Sequence, residues 1–197
     1  KIVYAQFFFP TMTSFKRPQP SKASFDLGIS LKCPIIPASE PEHKFGAVLD
    51  PVPFSLYTTC MRAEIICIGT ELLLGDIVNT NAAFLSQKLA EIGIDVYYQV
   101  TLGDNPPRLL EALKQAASRS EIVLTSGGLG PTVDDITTET LAALLDRRVI
   151  LHEEVLKHVK ASFAARNVPF PCESIRQAHV PEGVTWVKNN VGSAPGL

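Results

Sequence analysis

Ile122-Val123-Leu124-Thr125-Ser126-Gly127-Gly128-Leu129-Gly130-Pro131-Thr132-Val133-Asp134-Asp135 begins as an apolar run, breaks on glycine and reopens on an acidic pair. Ile122 to Thr125 reads as a buried strand. From about Asp134 to Leu145 the apolar spacing predicts a helix that turns Ile136, Leu141, Leu144 and Leu145 toward a sheet. A strand, a glycine loop and an amphipathic helix in that order form one repeat of an α/β protein.

The same repeat is written upstream. Glu64 to Gly69 is a short isoleucine-rich run suited to a strand covered on both faces. Asn81 to Ile92 predicts a helix with Leu85, Leu89 and Ile92 on one stripe, ended by Gly93. Ile94 to Leu102 alternates as a second strand. Asp104-Asn105-Pro106-Pro107 caps and starts a helix carrying Leu109, Leu110, Leu113 and Ala117, with Arg119 near its end. A further helix is expected from His152 to Arg166. The order β-α-β-α-β-α implies an α/β fold, a three-layer doubly wound and mostly parallel sheet with right-handed crossovers. Ligands of such sheets sit beyond the carboxyl ends of the strands, which singles out the loops after Gly69 and Thr125.

In the second loop, Gly127, Gly128 and Gly130 let the backbone turn and approach a ligand. Exposed N–H groups, Ser126, Thr132 and the start of the next helix favour phosphate there. It is not a Walker loop, since no Gly-Lys-Ser/Thr follows, and it lacks the dinucleotide-binding glycine pattern after a first strand. Thr132 is expected to cap the helix, with Asp134 and Asp135 in its first turn. Two carboxylates beside a phosphate either hold a divalent cation such as Mg2+ against it or merely complement the helix dipole. The first loop runs Gly69-Thr70-Glu71-Leu72-Leu73-Leu74-Gly75 and on to Asn79-Thr80-Asn81. Glu71 there either completes a metal shell or stays solvated. Asn79, Thr80 and Asn81 crowd a helix start where one cap would do, so ligand contacts are expected of the surplus.

Taken together, Gly69 to Gly75, Asn79 to Asn81 and the Gly127-Gly128-Leu129-Gly130-Pro131-Thr132 stretch with Asp134-Asp135 resemble the CinA family (competence/damage-inducible protein A) over most of residues 61–197. The resemblance implies a MoaB/Mog-like molybdopterin-binding fold. It further implies metal-assisted hydrolysis of ADP-ribose to AMP and ribose 5-phosphate. Asp134, Asp135 and Glu71 would then be catalytic and hold the divalent metal, while Thr70, Asn79, Asn81, Ser126, Gly127, Gly128, Gly130 and Thr132 would hold the ligand. Leu129 separates the chain from molybdopterin adenylyltransferases, which usually carry Gly-Gly-Thr-Gly at this point. In two places the pattern departs. Ile175 stands where the family usually has arginine, removing a candidate phosphate-binding cation, and Asn190 and Ser193 replace a usual proline and threonine. The alternative reading is a nucleotide- or molybdopterin-binding module without hydrolysis, and a third is an interaction scaffold.

The remaining sequence constrains the partners. A 197-residue chain with 46% hydrophobic residues and net charge -2 has one core's worth of apolar mass and no field to draw it to nucleic acid or an anionic membrane. A small nucleotide or pterin ligand and a homo-oligomer, a dimer, are the expected partners. No apolar stretch reaches the roughly 20 residues of a membrane span. Four cysteines, Cys33, Cys60, Cys67 and Cys172, show no zinc or disulfide spacing, which suits a reducing compartment. Residues 1–60 hold eight of the fifteen prolines and seven of the ten phenylalanines without periodicity, so little fixed structure is expected of them. They read either as an extension or as a transit peptide, giving cytoplasm or, alternatively, plastid. The chain opens on Lys1 and closes within a glycine-rich segment, so a fragment lacking the family's amidase domain is expected. His152 and His158, six apart, are expected on different faces of one helix, Cys67 as a small buried apolar residue, and Trp186 as a packing residue more than a base-stacking one.

Overall fold

A computed structural model of the chain describes residues 61–197; the expectations for 1–60 lie outside the described residues. Strand β1 (Arg62–Ile68) lies between β2 (Asp95–Leu102) and β3 (Ile122–Ser126), all parallel, in the order β2-β1-β3. Parallel neighbours need crossovers, supplied by α2 (Thr80–Glu91) and α3 (Pro106–Arg119), while a short α1 (Thr70–Leu74) follows β1. The alternation along β1 divides the core. Ala63, Ile65 and Cys67 meet Ala82, Leu85 and Leu89 of α2. Ile66 and Ile68 meet Leu109, Leu113 and Ala116 of α3 on the opposite face. A strand covered on both sides must be apolar on both, which is why its sequence reads as an unbroken run.

Glu64 is the exception on that strand. It is buried, and Arg119 at the end of α3 donates to its two carboxylate oxygens from Nε (2.9 Å) and Nη2 (2.7 Å). The same guanidinium stacks 3.7 Å from the Tyr98 ring on β2. One ion pair thus ties the start of the central strand to the end of a crossover helix.

Three sequence expectations need correction. Ile92 is exposed, because α2 ends at Glu91; Gly93, at φ +74°, turns the chain so that Ile94 takes the buried place. On α3 the buried stripe is Leu109, Leu113 and Ala116, with Ala117 exposed and Leu110 half-buried, since a helix advances about 100° per residue and both lie beside the stripe. Helix α4 spans Thr137–Leu144 and starts three residues later than expected, so Asp134 and Asp135 precede it and Thr132 does not cap it. The displacement has a local cause. Asp135 Oδ2 accepts hydrogen bonds from Thr132 N (2.8 Å) and Oγ1 (2.6 Å), closing a separate turn before the helix can begin.

Beyond α4, β4 (Val149–Leu151) and β5 (His179–Pro181) form an antiparallel pair, too short to be read from alternation. Helix α5 (Glu153–Ala165) and a 3-10 helix (Cys172–Ala178) pack beside them, Val155, Val159, Ala178, Val180 and Leu197 forming a third buried cluster. No helix of the described residues is long and apolar enough to cross a membrane.

Candidate functional site

With the strand order β2-β1-β3, the chain winds to one side of β1 and then to the other. The point where the winding reverses lies between β1 and β3. Their two carboxyl ends touch there. At Gly127, φ is +109° and an added β-carbon would stand 1.9 Å from the Ile68 carbonyl oxygen, so only glycine lets the loop leave β3 against β1. At Gly128 the helix α4 closes in: Thr137 Oγ1 donates to the Gly127 carbonyl (2.8 Å), Thr137 N–H to the Gly128 carbonyl (3.0 Å), and a β-carbon would meet that hydroxyl at 2.4 Å. These two glycines serve the packing of the loop on its own scaffold. Gly130 is different, for the group lying on it is the Asp135 carboxylate, 2.4 Å from the place of a β-carbon.

A groove opens along this loop. Gly128, Leu129, Gly130 and Asp135 line one side, Thr138 and Glu139 of α4 continue it, and Arg176, Gln177, His179, Pro195 and Leu197 complete it. Arg176 is the hub. Its Nη1 donates to the Thr132 carbonyl, its Nη2 to the Asp135 carbonyl (2.9 Å) and to Glu139 Oε1 (2.7 Å), and its Nε to the same Glu139 oxygen (3.1 Å). A planar guanidinium can make this fork where a lysine could not. Gln177 beside it is buried, and its Oε1 has no hydrogen-bond partner.

Of the residues expected at the site, Gly128, Gly130 and Asp135 line the groove. Asn81 Nδ2 donates to Ser126 Oγ (2.9 Å), which joins the start of α2 to the end of β3. Asn79 supplies the helix cap, accepting from Ala82 N (3.1 Å), and its Nδ2 donates to Thr101 Oγ1 (3.4 Å). Thr70 is held away by Asp104, whose Oδ2 accepts from Thr70 N (2.9 Å) and Oγ1 (2.8 Å). Glu71 folds back over Gly69, its Oε1 2.4 Å from where a β-carbon would lie. Asp134 is exposed. Among the described residues no three His, Cys, Asp or Glu side chains form a group able to hold a metal ion. The expected trio Glu71, Asp134 and Asp135 is therefore not assembled, because α1 carries Glu71 and the Thr132 turn has taken Asp135.

Arg176, Gln177 and His179 are groove residues that no motif in the sequence singles out. Ile175 by itself reads only as the loss of a cation. A guanidinium stands at the groove one position later.

Away from the groove, His152 stands at the position before α5, with no side-chain bond capping it, and so lies outside the helix on which both histidines were expected. Trp186 reaches both, with ring centroids 6.5 Å from His152 and 5.6 Å from His158. Burial, reinforced by the Lys188 ammonium and opposed by a hydrogen bond with the Asn189 backbone, holds the His158 imidazole below its ordinary range. Trp186 packs against the third cluster, and Cys67 is buried in β1, where desolvation pushes its thiol up against a lowering contact from Asn79.

Known proteins agree with this architecture. The family profile described as "Probable molybdopterin binding domain" matches residues 64–196. The CinA-like protein of Dictyoglomus thermophilum is 50% identical over 137 residues, covering 70% of this chain and 33% of the relative. The crystal structure of CinA from Thermoplasma acidophilum aligns with a TM-score of 0.62 at 32% identity, covering 68% of this chain and 79% of that one. The chain belongs to the CinA-like molybdopterin-binding family. A Clostridium tetani relative named for competence-damage induction is 54% identical over 136 residues, 69% of this chain and 33% of the relative. The CinA-like chain described here thus spans about a third of the length of the curated relatives it matches.

Proposed function

We propose that this domain holds a nucleotide-like or pterin ligand by its phosphates along the Gly128–Gly130 side of the groove. We further propose that the ligand is ADP-ribose, hydrolysed at its pyrophosphate to AMP and ribose 5-phosphate. One observation carries the reading. The Thr132 turn beside Gly130 already grips an anionic oxygen, with a backbone N–H at 2.8 Å and a hydroxyl at 2.6 Å. A phosphate oxygen asks for the same donors. The family to which the chain belongs supports a pterin or nucleotide ligand, and the position at the carboxyl ends of β1 and β3 supports binding there.

In this reading Thr132 and the loop backbone bind phosphate, and Arg176 orients the turn. A divalent ion such as Mg2+ would supply charge neutralisation and an activated water when bound. The alternative, a module that carries a molybdopterin-type ligand without turning it over, draws on the same unassembled carboxylates.

The test uses the full-length protein. Release of AMP from ADP-ribose that disappears in Asp134→Asn/Asp135→Asn supports the hydrolase. Binding of a pterin phosphate with no AMP release from ADP-ribose supports the carrier. If calorimetry detects neither ligand, the phosphate assignment is wrong. The proposal includes a homodimer, to be read by light scattering on the same sample.

A further inference from the structure

Asp135 sits where a ligand phosphate is proposed to sit. Its Oδ2 accepts from both Thr132 donors, 2.8 Å to the N–H and 2.6 Å to the hydroxyl, and the same oxygen lies on the bare face of Gly130. The carboxylate is not the only thing that holds the turn. Asp135 N–H donates to the Thr132 carbonyl (3.3 Å), and Arg176 holds both the Thr132 and Asp135 carbonyls while anchored on Glu139. None of these bonds uses the Asp135 carboxylate oxygens, so they stay available to the turn when the side chain rotates away from Thr132.

We propose that the Asp135 carboxylate is an internal stand-in for the ligand's phosphate, expelled from Thr132 when a phosphorylated ligand binds, with Arg176 keeping the turn in place during the exchange. The proposal rests on the reading that phosphate binds at this loop. Its chemistry follows from charge. Two anionic oxygens cannot share one pair of donors at hydrogen-bond distance, so binding and expulsion are one event. Only a strong anionic acceptor competes with a charge-assisted carboxylate contact, so a phosphate or pyrophosphate group displaces it and a neutral nucleoside does not. The exchange also orders events. Asp135 becomes free to act beside Asp134 only after the ligand has arrived.

The experiment is calorimetry on the whole chain in the presence of a chelator, with ADP-ribose, inorganic pyrophosphate and adenosine as probes. Asp135→Asn keeps the shape and removes the competing charge, so it is expected to bind ADP-ribose and pyrophosphate more tightly than the parent, on the order of ten-fold, the value of one such contact. Thr132→Val is expected to lose both ligands, with Thr132→Ser restoring them, and adenosine is expected to bind to none. Affinity in Asp135→Asn that is equal to or weaker than the parent, while Thr132→Val still loses binding, overturns the displacement but leaves the phosphate site standing. Unchanged binding in Thr132→Val overturns the site and the displacement together. Should Asp135→Asn melt early, the parent answers instead. The Thr132 amide and Asp135 carboxyl-carbon resonances are expected to move together on titration with ADP-ribose, and an unmoved Asp135 signal refutes the exchange.

Discussion

Replacing Arg119 with alanine strips the guanidinium from a carboxylate that has almost no water around it. Glu64 is 1% exposed, against 37% for Arg119. Once the two bonds of 2.9 and 2.7 Å are gone, the nearest remaining donor is Ser120 Oγ at 3.5 Å, too far to compensate a charge. Breaking a fully buried pair from one side costs about 3–5 kcal/mol. The outer face of this pair reaches solvent, which lowers the figure, while loss of the Tyr98 stack adds roughly 0.5–1 kcal/mol. A net loss of about 2–4 kcal/mol is expected, or a fall in Tm of about 10 °C for a domain of this size. Urea unfolding followed by far-UV circular dichroism measures it. Glu64→Met in the same background removes the stranded charge and is expected to recover most of the loss, so the cycle should return a coupling of at least about 1.5 kcal/mol. A loss below about 1 kcal/mol in Arg119→Ala, with the two substitutions simply additive, would show that water already solvates Glu64 and that the pair does not tie β1 to α3.

Gly127→Ala sets a β-carbon 1.9 Å from the Ile68 carbonyl at φ +109°, so the loop must move off β1; a melting temperature lowered by at least several degrees together with lost ADP-ribose binding is expected. Leu113→Ala empties a site that is 1% exposed between α3 and β1 and should cost about 2–5 kcal/mol in urea unfolding, with binding kept in the molecules that remain folded. His158 has a folded proton affinity below its ordinary value of 6.5, so the unfolded chain takes the proton first as pH falls. Stability is therefore full above about pH 6.5 and declines below it, and the sole tryptophan, Trp186, should report the change in fluorescence; His158→Gln is expected to flatten that part of the profile. Arg176→Ala should quicken amide exchange at Asp135 while shifting overall stability by no more than about 1 kcal/mol, since its pair with Glu139 is half-exposed.

The parallel sheet was legible because its signals are local. The isoleucine run of β1 announces a strand buried on both faces, Asn105 with two prolines announces a helix start, and glycine after a strand announces a turn at the carboxyl edge. Each depends on residues within a few positions of one another. Membership of the CinA-like family was legible for the same reason, since its motifs are short and continuous.

What the sequence could not settle was which polar groups answer which. Thr132 and the two aspartates read equally well as a helix cap with a dipole pair and as a metal and phosphate site. The backbone instead closed a turn between them and delayed α4 to Thr137. Asn79 became a cap and Asn81 a brace to Ser126, a division of labour that no spacing rule assigns. Arg176 reaches the loop from 41 positions away at Asp135 and 44 at Thr132, and Glu64 finds Arg119 across 55. Side-chain hydrogen bonds over such separations are set by where the helices come to rest, and that is decided by apolar packing, on the two faces of β1 for Arg119 and in the third cluster for Arg176. The sequence alone determined the sheet, the loop and the kind of chemistry the loop invites; the tertiary structure alone decided that Asp135 occupies Thr132 and that Arg176 fastens the pair.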